Sequence, residues 1–133
     1  MNRVYVDTSA LFALLVKNDA NHARARAAFE KLRARESTLV CSSYVLVEFY
    51  ALLGRRVGLD AVAAFRQDFA PLLKVVWVDA ALHDEGLTLL LDRGREDLSL
   101  VDAVSFLVAR RQAVDEVFAY DEDFQREGFA TAI

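Results

Sequence analysis

An α/β sandwich, with a largely parallel central sheet flanked by helices, is the fold this sequence predicts, on three observations. Short β-branched runs alternate with stretches of helical period along the chain, the pattern of strands joined by helical crossovers. Several runs are followed at once by an Asp or Ser able to cap a helix, as at Asp7, Ser42-Ser43 and Asp79. No repeat, low-complexity stretch or linker interrupts the alternation, so residues 1–133 read as a single domain. A chain of this length buries about two-thirds of its unfolded surface and stands without disulfides.

The elements follow in order. Val4 to Val6 is a short strand, and Asp7 caps a helix through Leu11, Leu14 and Leu15. Asn18 to Asn21 is a turn. His22 to Arg35 is an Arg- and Ala-rich helix with Phe29 and Leu32 on its apolar side, and Thr38 to Cys41 is the second strand. Ser42-Ser43 caps a helix from Tyr44 to Arg56, ended by Gly54 and Gly58, and another runs from Asp60 to Leu73, with Pro71 ending or kinking it. Lys74 to Val78 is the third strand, and Asp79 caps a helix through Leu82 to Leu91 that stops at Arg93-Gly94. Ser99 caps the helix Leu100 to Gln112, followed by a strand at Glu116 to Tyr120, a short helix at Asp121 to Arg126 and a last strand at Ala130 to Ile133.

Composition narrows the function. With 55% hydrophobic and 27% charged residues the chain is of ordinary globular type, and its formal charge of −4 argues against a protein that coats nucleic acid. Thirteen of the sixteen basic residues are Arg, a usage that suits phosphate binding and equally follows from genome composition. Cys41 is the only cysteine, so no disulfide or thiolate metal site forms within one chain, and it reads as a buried strand residue. The start at Met1-Asn2-Arg3 runs straight into a strand without a signal-peptide pattern, and no apolar run approaches a membrane span, so a reduced cytoplasmic location is the default expectation.

Acidic residues in apolar settings are the informative feature. Asp7 follows Val4-Tyr5-Val6, Glu48 follows Val45-Leu46-Val47, Asp102 follows Leu98-Ser99-Leu100-Val101, and Asp121 follows Val117-Phe118-Ala119-Tyr120. Carboxylates placed against apolar surface need partners, and four of them suggest a shared cation. Asp7, Asp102 and Asp121 also admit a capping role. Glu48 does not, because it lies inside a helix, where Tyr44, Val45, Ala51 and Leu52 one turn away cannot pair its charge and no other charge lies between Tyr44 and Leu53. An all-oxygen donor set fits Mg²⁺ or Mn²⁺ rather than zinc, and His22 and His83 sit in polar helical contexts that read as solvated surface. Asp123 either joins the site or solvates the helix start, Asp97 is a loop charge, and Ser9 and Ser99 either cap helices or hold a carboxylate in place.

The chain resembles the PIN-domain ribonucleases, and in particular the VapC-like toxins of prokaryotic toxin–antitoxin pairs. The resemblance covers nearly the whole length: Val6-Asp7-Thr8-Ser9-Ala10, Glu48 in its apolar helix, Ser99-Leu100-Val101-Asp102-Ala103 and Tyr120-Asp121-Glu122-Asp123-Phe124. It implies a PIN-like α/β/α sandwich, with Asp7, Glu48, Asp102 and Asp121 as catalytic and metal-site acids and Asp123 as an auxiliary. It also implies hydrolysis of RNA to a 5′-phosphate and a 3′-hydroxyl, and an antitoxin partner. Ala119 departs from the pattern, since many relatives carry a hydroxyl residue there.

The chemistry agrees with that expectation. A phosphodiester is anionic, so cleavage needs charge neutralisation and a nucleophile available at neutral pH, both of which a divalent ion supplies. Basic residues at the rim must attract the RNA; Arg55, Arg56, Arg110 and Arg111 are candidates, or else helix-end charges complementing the dipole. Apolar residues Leu11, Phe12, Leu15, Phe49, Tyr50 and Leu53 wrap more than one helix face and suggest a homodimer, against the alternative of a monomer core. A PIN-like DNA nuclease, a non-catalytic binding module and an aspartyl phosphotransferase are the competing functions. Of the last kind, enzymes of the haloacid dehalogenase type would want a second Asp where Ser9 stands, and a phosphorelay receiver would want a Lys at a late strand end, where none of Lys17, Lys31 and Lys74 lies.

Overall fold

The structure, a computed structural model, describes residues 1–133. Four strands, β1 (Arg3–Val6), β2 (Thr38–Ser42), β3 (Leu73–Val76) and β4 (Glu116–Phe118), form one sheet in the order β3-β2-β1-β4, with every pair parallel. The flanking helices are α1 (Thr8–Leu15), α2 (His22–Ala34), α3 (Ser43–Arg56), α4 (Leu59–Asp68), α5 (Ala80–Arg93), α6 (Leu100–Arg111) and the short α7 (Asp123–Arg126). No helix is long and apolar enough to cross a membrane.

The centre of the sheet carries the core. Val4, Tyr5 and Val6 of β1 are buried, as a strand covered on both faces requires. Tyr5 satisfies its hydroxyl by donating to Ser105 Oγ of α6 at 2.8 Å, which ties the central strand to a flanking helix. Phe29, Phe49, Phe65 and Phe69 join α2, α3 and α4 through ring contacts of 4.7 to 5.5 Å. Cys41 is buried in β2 as expected, and burial pushes its thiol up to about 12.

Several predicted boundaries shift for reasons of pairing. The helix expected to reach Leu73 stops at Asp68, and Ala70–Leu72 forms a single 3-10 turn, because Pro71 has no N–H to continue the ladder. β3 ends at Val76 rather than Val78, since its neighbour β2 turns into α3 after Ser42, opposite Val76; Trp77 is left 75% exposed. β4 likewise ends at Phe118, where β1 ends opposite it. The expected strand at Ala130 to Ile133 reduces to one parallel bridge between Thr131 and Val117. Of the residues that suggested a homodimer, Leu11, Phe49 and Leu53 lie in the monomer core and Phe12 and Tyr50 are half-buried; only Leu15 is exposed.

Gly86 sets the approach of α5 to α6. A Cβ built there would lie 2.5 Å from Val104 Cγ2 and 3.3 Å from Leu100 Cδ1. Val104 is fully buried and β-branched, so it has little room to yield. Gly86→Ala is therefore expected to destabilise the fold by about 1–3 kcal/mol, although Ala is favoured over Gly in a helix by roughly 1 kcal/mol. Urea unfolding reads this as a lower midpoint at unchanged slope, with partial recovery in the Gly86→Ala/Val104→Ala pair.

Candidate active site

The strand order reverses direction at β1. From β1 the chain adds β2 and then β3 on one side, and returns at the end to place β4 on the other. Open α/β sheets bind ligands in the crevice beyond the strand carboxyl ends at such a point. Asp7 follows β1 directly, and Asp121 lies three residues beyond β4.

Each acid is held by a local contact. Asp7 is the N-cap of α1: its Oδ2 accepts from the Ser9 hydroxyl at 2.9 Å and, more weakly, from the Ser9 N–H at 3.4 Å. Ser9 Oγ in turn accepts the Tyr120 N–H at 3.0 Å, and the Asp7 N–H donates to Phe118 O at 3.1 Å. These bonds lock the ends of β1 and β4 together. Asp102 forms a capping box with Ser99: its Oδ2 accepts the Ser99 N–H at 3.0 Å, while Ser99 Oγ accepts the Asp102 N–H at 3.1 Å. Asp121 does not start a helix as expected; its Oδ1 accepts the Asp123 N–H at 2.9 Å in a tight turn, and α7 begins at Asp123.

One carboxylate oxygen from each of Asp102, Asp121 and Asp123 lies within 4.8 Å of the others. Asp7 and Glu48 stand outside that triad, yet the Asp7 carboxyl feels the charges of both Asp102 and Glu48. Glu48 differs from expectation in its burial. It is exposed on α3 beside Val47, which is 67% exposed, and both line an apolar cavity of about 360 Å³ with Tyr44, Leu100 and Val101. Its neighbours are apolar as the sequence indicates, but the face is open.

The electrostatics separate the acids. Burial, with lesser repulsion from Asp102 and Glu48, pushes the Asp7 carboxyl up to about 7 against the hydrogen bonds from Ser9. Asp121 is raised as well, by burial and by the charges of Asp123 and Asp102. Asp123 goes the other way. Burial would raise it, but its Oδ1 accepts from Arg95 Nη2 at 2.8 Å and Arg126 Nη1 at 3.1 Å, and these guanidinia hold it below the usual carboxylate range. The donor set is carboxylate oxygen throughout, which suits a hard divalent cation. The Thr8 hydroxyl, next to Asp7 in the chain, is buried without a partner, a further oxygen free to meet a ligand or water.

Other side chains fall differently from the sequence reading. His22 and His83 are half-buried and bonded, His22 Nδ1 to Ala13 O at 2.9 Å and His83 Nδ1 to the Tyr44 hydroxyl. Arg110 pairs with Glu127 and Arg111 with Glu85, so both stabilise helix packing; Arg56 lies 5.8 Å from the Phe12 ring centroid. Asp97 is an exposed loop charge, as expected, and chelates Arg95. Arg95 carries no signal of its role in the sequence, since nothing in Arg93-Gly94-Arg95 marks Asp123 as its partner.

Comparison with known proteins adds the ancestry. The family model of the PIN domain matches residues 4–130. The chain is 33% identical over 127 residues to the 23S rRNA-specific endonuclease VapC20 of Mycobacterium tuberculosis, covering 95% of each sequence. The crystal structure of that VapC20, described as a sarcin-ricin loop cleaving toxin, superposes with a TM-score of 0.81 at 34% identity, over 96% of both chains. Two more distant structures share the fold. FitAcB from Neisseria gonorrhoeae matches at 17% identity with a TM-score of 0.69, over 96% of this chain and 95% of the other. VapBC2 from Rickettsia felis, bound to a DNA fragment from its promoter, matches at 16% with a TM-score of 0.67, over 97% and 96%.

The raised Asp7 carboxyl has a consequence for stability. A group protonated in the fold while the unfolded chain has already ionised contributes in full below its unfolded value, and that contribution is lost as pH rises through about 7. Asp7→Asn removes the loss. In chelator the variant is expected to melt roughly 5 °C or more above wild type at about pH 8, with the gap closing toward about pH 4. Thermal melts across that range test it, and a variant less stable than wild type at the higher pH would count against a repulsive cluster.

Proposed function

Because this chain belongs to the PIN domain family, we propose that it is a metal-dependent endoribonuclease and the toxin of a toxin–antitoxin pair. The observation that supports this reading is the clustering of Asp102, Asp121 and Asp123 within 4.8 Å of one another, with Asp7 at the end of β1 feeling the charges of Asp102 and Glu48. Asp7, Glu48, Asp102 and Asp121 hold Mg²⁺ or Mn²⁺ in this reading. A divalent cation there neutralises the phosphate charge and makes a water acidic enough to attack at neutral pH.

The chain's own residues position and exclude. Ser9 engages Oδ2 of Asp7 and leaves Oδ1 without a hydrogen-bond partner in the protein. The Asp123 N–H turns Asp121 toward Asp102, and Arg95 with Arg126 occupies Oδ1 of Asp123. Asp123 thereby supports the set rather than leading it. Water would attack phosphorus as its proton passes to a carboxylate oxygen, and the bond to the 3′-oxygen would break, that oxygen taking a proton from solvent, to leave a 5′-phosphate and a 3′-hydroxyl.

The substrate to test first is a sarcin-ricin loop RNA, because the relative at 33% identity acts on 23S rRNA and cleaves that loop. An antitoxin helix would find an apolar groove of about 290 Å³ between α1, α3 and α4, floored by Leu53, Phe65 and Phe69 and walled by Leu15 and Val57. Its basic tail would reach the acids. A homodimer in the cytoplasm completes the proposal, with exposed Val47 and Leu59 as surface that a second chain would cover.

Asp7→Asn, Glu48→Gln and Asp102→Asn are each expected to lower RNA cleavage by about 10²-fold or more. Chelator should abolish cleavage, and Mg²⁺ or Mn²⁺ restore it. Gel assays of the purified proteins decide this, and near-wild-type cleavage by folded Asp7→Asn would overturn the assignment. Expression without an antitoxin should arrest growth, whereas Asp7→Asn should not; a harmless wild type would remove the toxin reading while leaving the nuclease.

A further inference from the structure

A further cavity, of about 260 Å³, is lined by Arg24, Tyr120, Gln125 and Thr131 together with the acids Asp121 and Glu122, and Arg24 is the one cation on its wall. Arg24 stands in the first turn of α2, the end at which a helix dipole favours an anion. Its guanidinium lies 5.9 Å from the Tyr120 ring centroid. It is exposed and makes neither an ion pair nor a hydrogen bond, whereas Arg95, Arg110, Arg111 and Arg126 are all committed to carboxylates. A free guanidinium binds a phosphate without first breaking a salt bridge.

Tyr120 is fixed in place. Its hydroxyl donates to Asn21 O at 3.2 Å, and its N–H donates to Ser9 Oγ, the same hydroxyl that orients Asp7. The ring is therefore held at a set position relative to the acids. Gln125 is exposed with an unengaged amide, able to meet the edge of a base. Aromatic rings and guanidinium planes stack unpaired bases, and an adjacent cation holds the backbone.

We propose that this cavity is the subsite for the RNA nucleotide flanking the scissile phosphate, with Tyr120 and Arg24 stacking its base and Arg24 binding its phosphate. The assignment rests on the endoribonuclease reading and deepens it by naming the specificity-determining residues. Arg24 and Tyr120 position substrate and leave the acids undisturbed.

The test compares wild type with Arg24→Gln, Arg24→Lys, Tyr120→Leu and, as a control, Arg33→Gln, which lies at the far end of α2. For sarcin-ricin loop RNA, Arg24→Gln and Tyr120→Leu should raise KM about tenfold or more, with kcat changed by less than about threefold. Fluorescence anisotropy in chelator should show a matching loss of RNA affinity. The salt slope of binding should fall by about one in Arg24→Gln and recover in Arg24→Lys. Mn²⁺ affinity by calorimetry should stay at the wild-type value, as should every property of Arg33→Gln. Unchanged KM and salt slope in Arg24→Gln, with wild type cleaving normally, would overturn the subsite alone. A wild type that neither binds nor cleaves RNA would overturn the nuclease reading and the subsite with it.

Discussion

Like charges crowded into a half-buried crevice are the constraint to which the neighbouring contacts answer. Carboxylate oxygens of Asp102, Asp121 and Asp123 within 4.8 Å of one another repel by about 3.5 kcal/mol per ionised pair at an effective dielectric of 20. Against a net folding stability of roughly 5–15 kcal/mol, several such terms cannot stand uncompensated. The fold answers with donors fixed by the backbone: the Ser9 hydroxyl for Asp7, the Ser99 N–H for Asp102, the Asp123 N–H for Asp121. It answers with guanidinia only at Asp123, the most buried of the three. The acids left with raised values, Asp7 and Asp121, are those best placed to gain from a cation.

The scaffold behind the crevice is built to keep those donors in place. β1 is buried at the middle of the sheet, Tyr5 reaches across to Ser105 of α6, and Gly86 lets α5 approach that helix closely. Arg93 and Arg110 converge on Glu127, whose carboxyl they hold down to about 2, and so pin α5 and α6 to the segment after α7. A site carried on strand ends and helix starts moves little when its supports are rigid.

Arginine usage now has a structural explanation. Every ion pair in the protein has Arg as its cation, so seven of the thirteen guanidinium forks serve acids within the chain. In the endoribonuclease reading, the acidic net charge leaves RNA attraction to the basic residues that no internal acid engages, Arg24 among them. Local placement matters more than total charge.

The sequence by itself determined the alternation of strands and helices, from which a parallel sheet follows, the caps at Asp7, Ser42, Asp79 and Ser99, and the position of Asp7 and Asp121 just beyond strand ends. Those features are local, because a cap acts within one turn and periodicity repeats every few residues. Tertiary structure decided where β3 and β4 stop, since a strand ends when its partner turns away. It also decided that Glu48 is open to solvent, that His22 and His83 are bonded, and that the apolar residues around Phe49 fill a monomer core. Arg95 meeting Asp123, and Arg24 meeting Tyr120, join segments far apart in the chain. Ion pairs and exposure depend on which surfaces come together, and no local pattern of residue types carries that information.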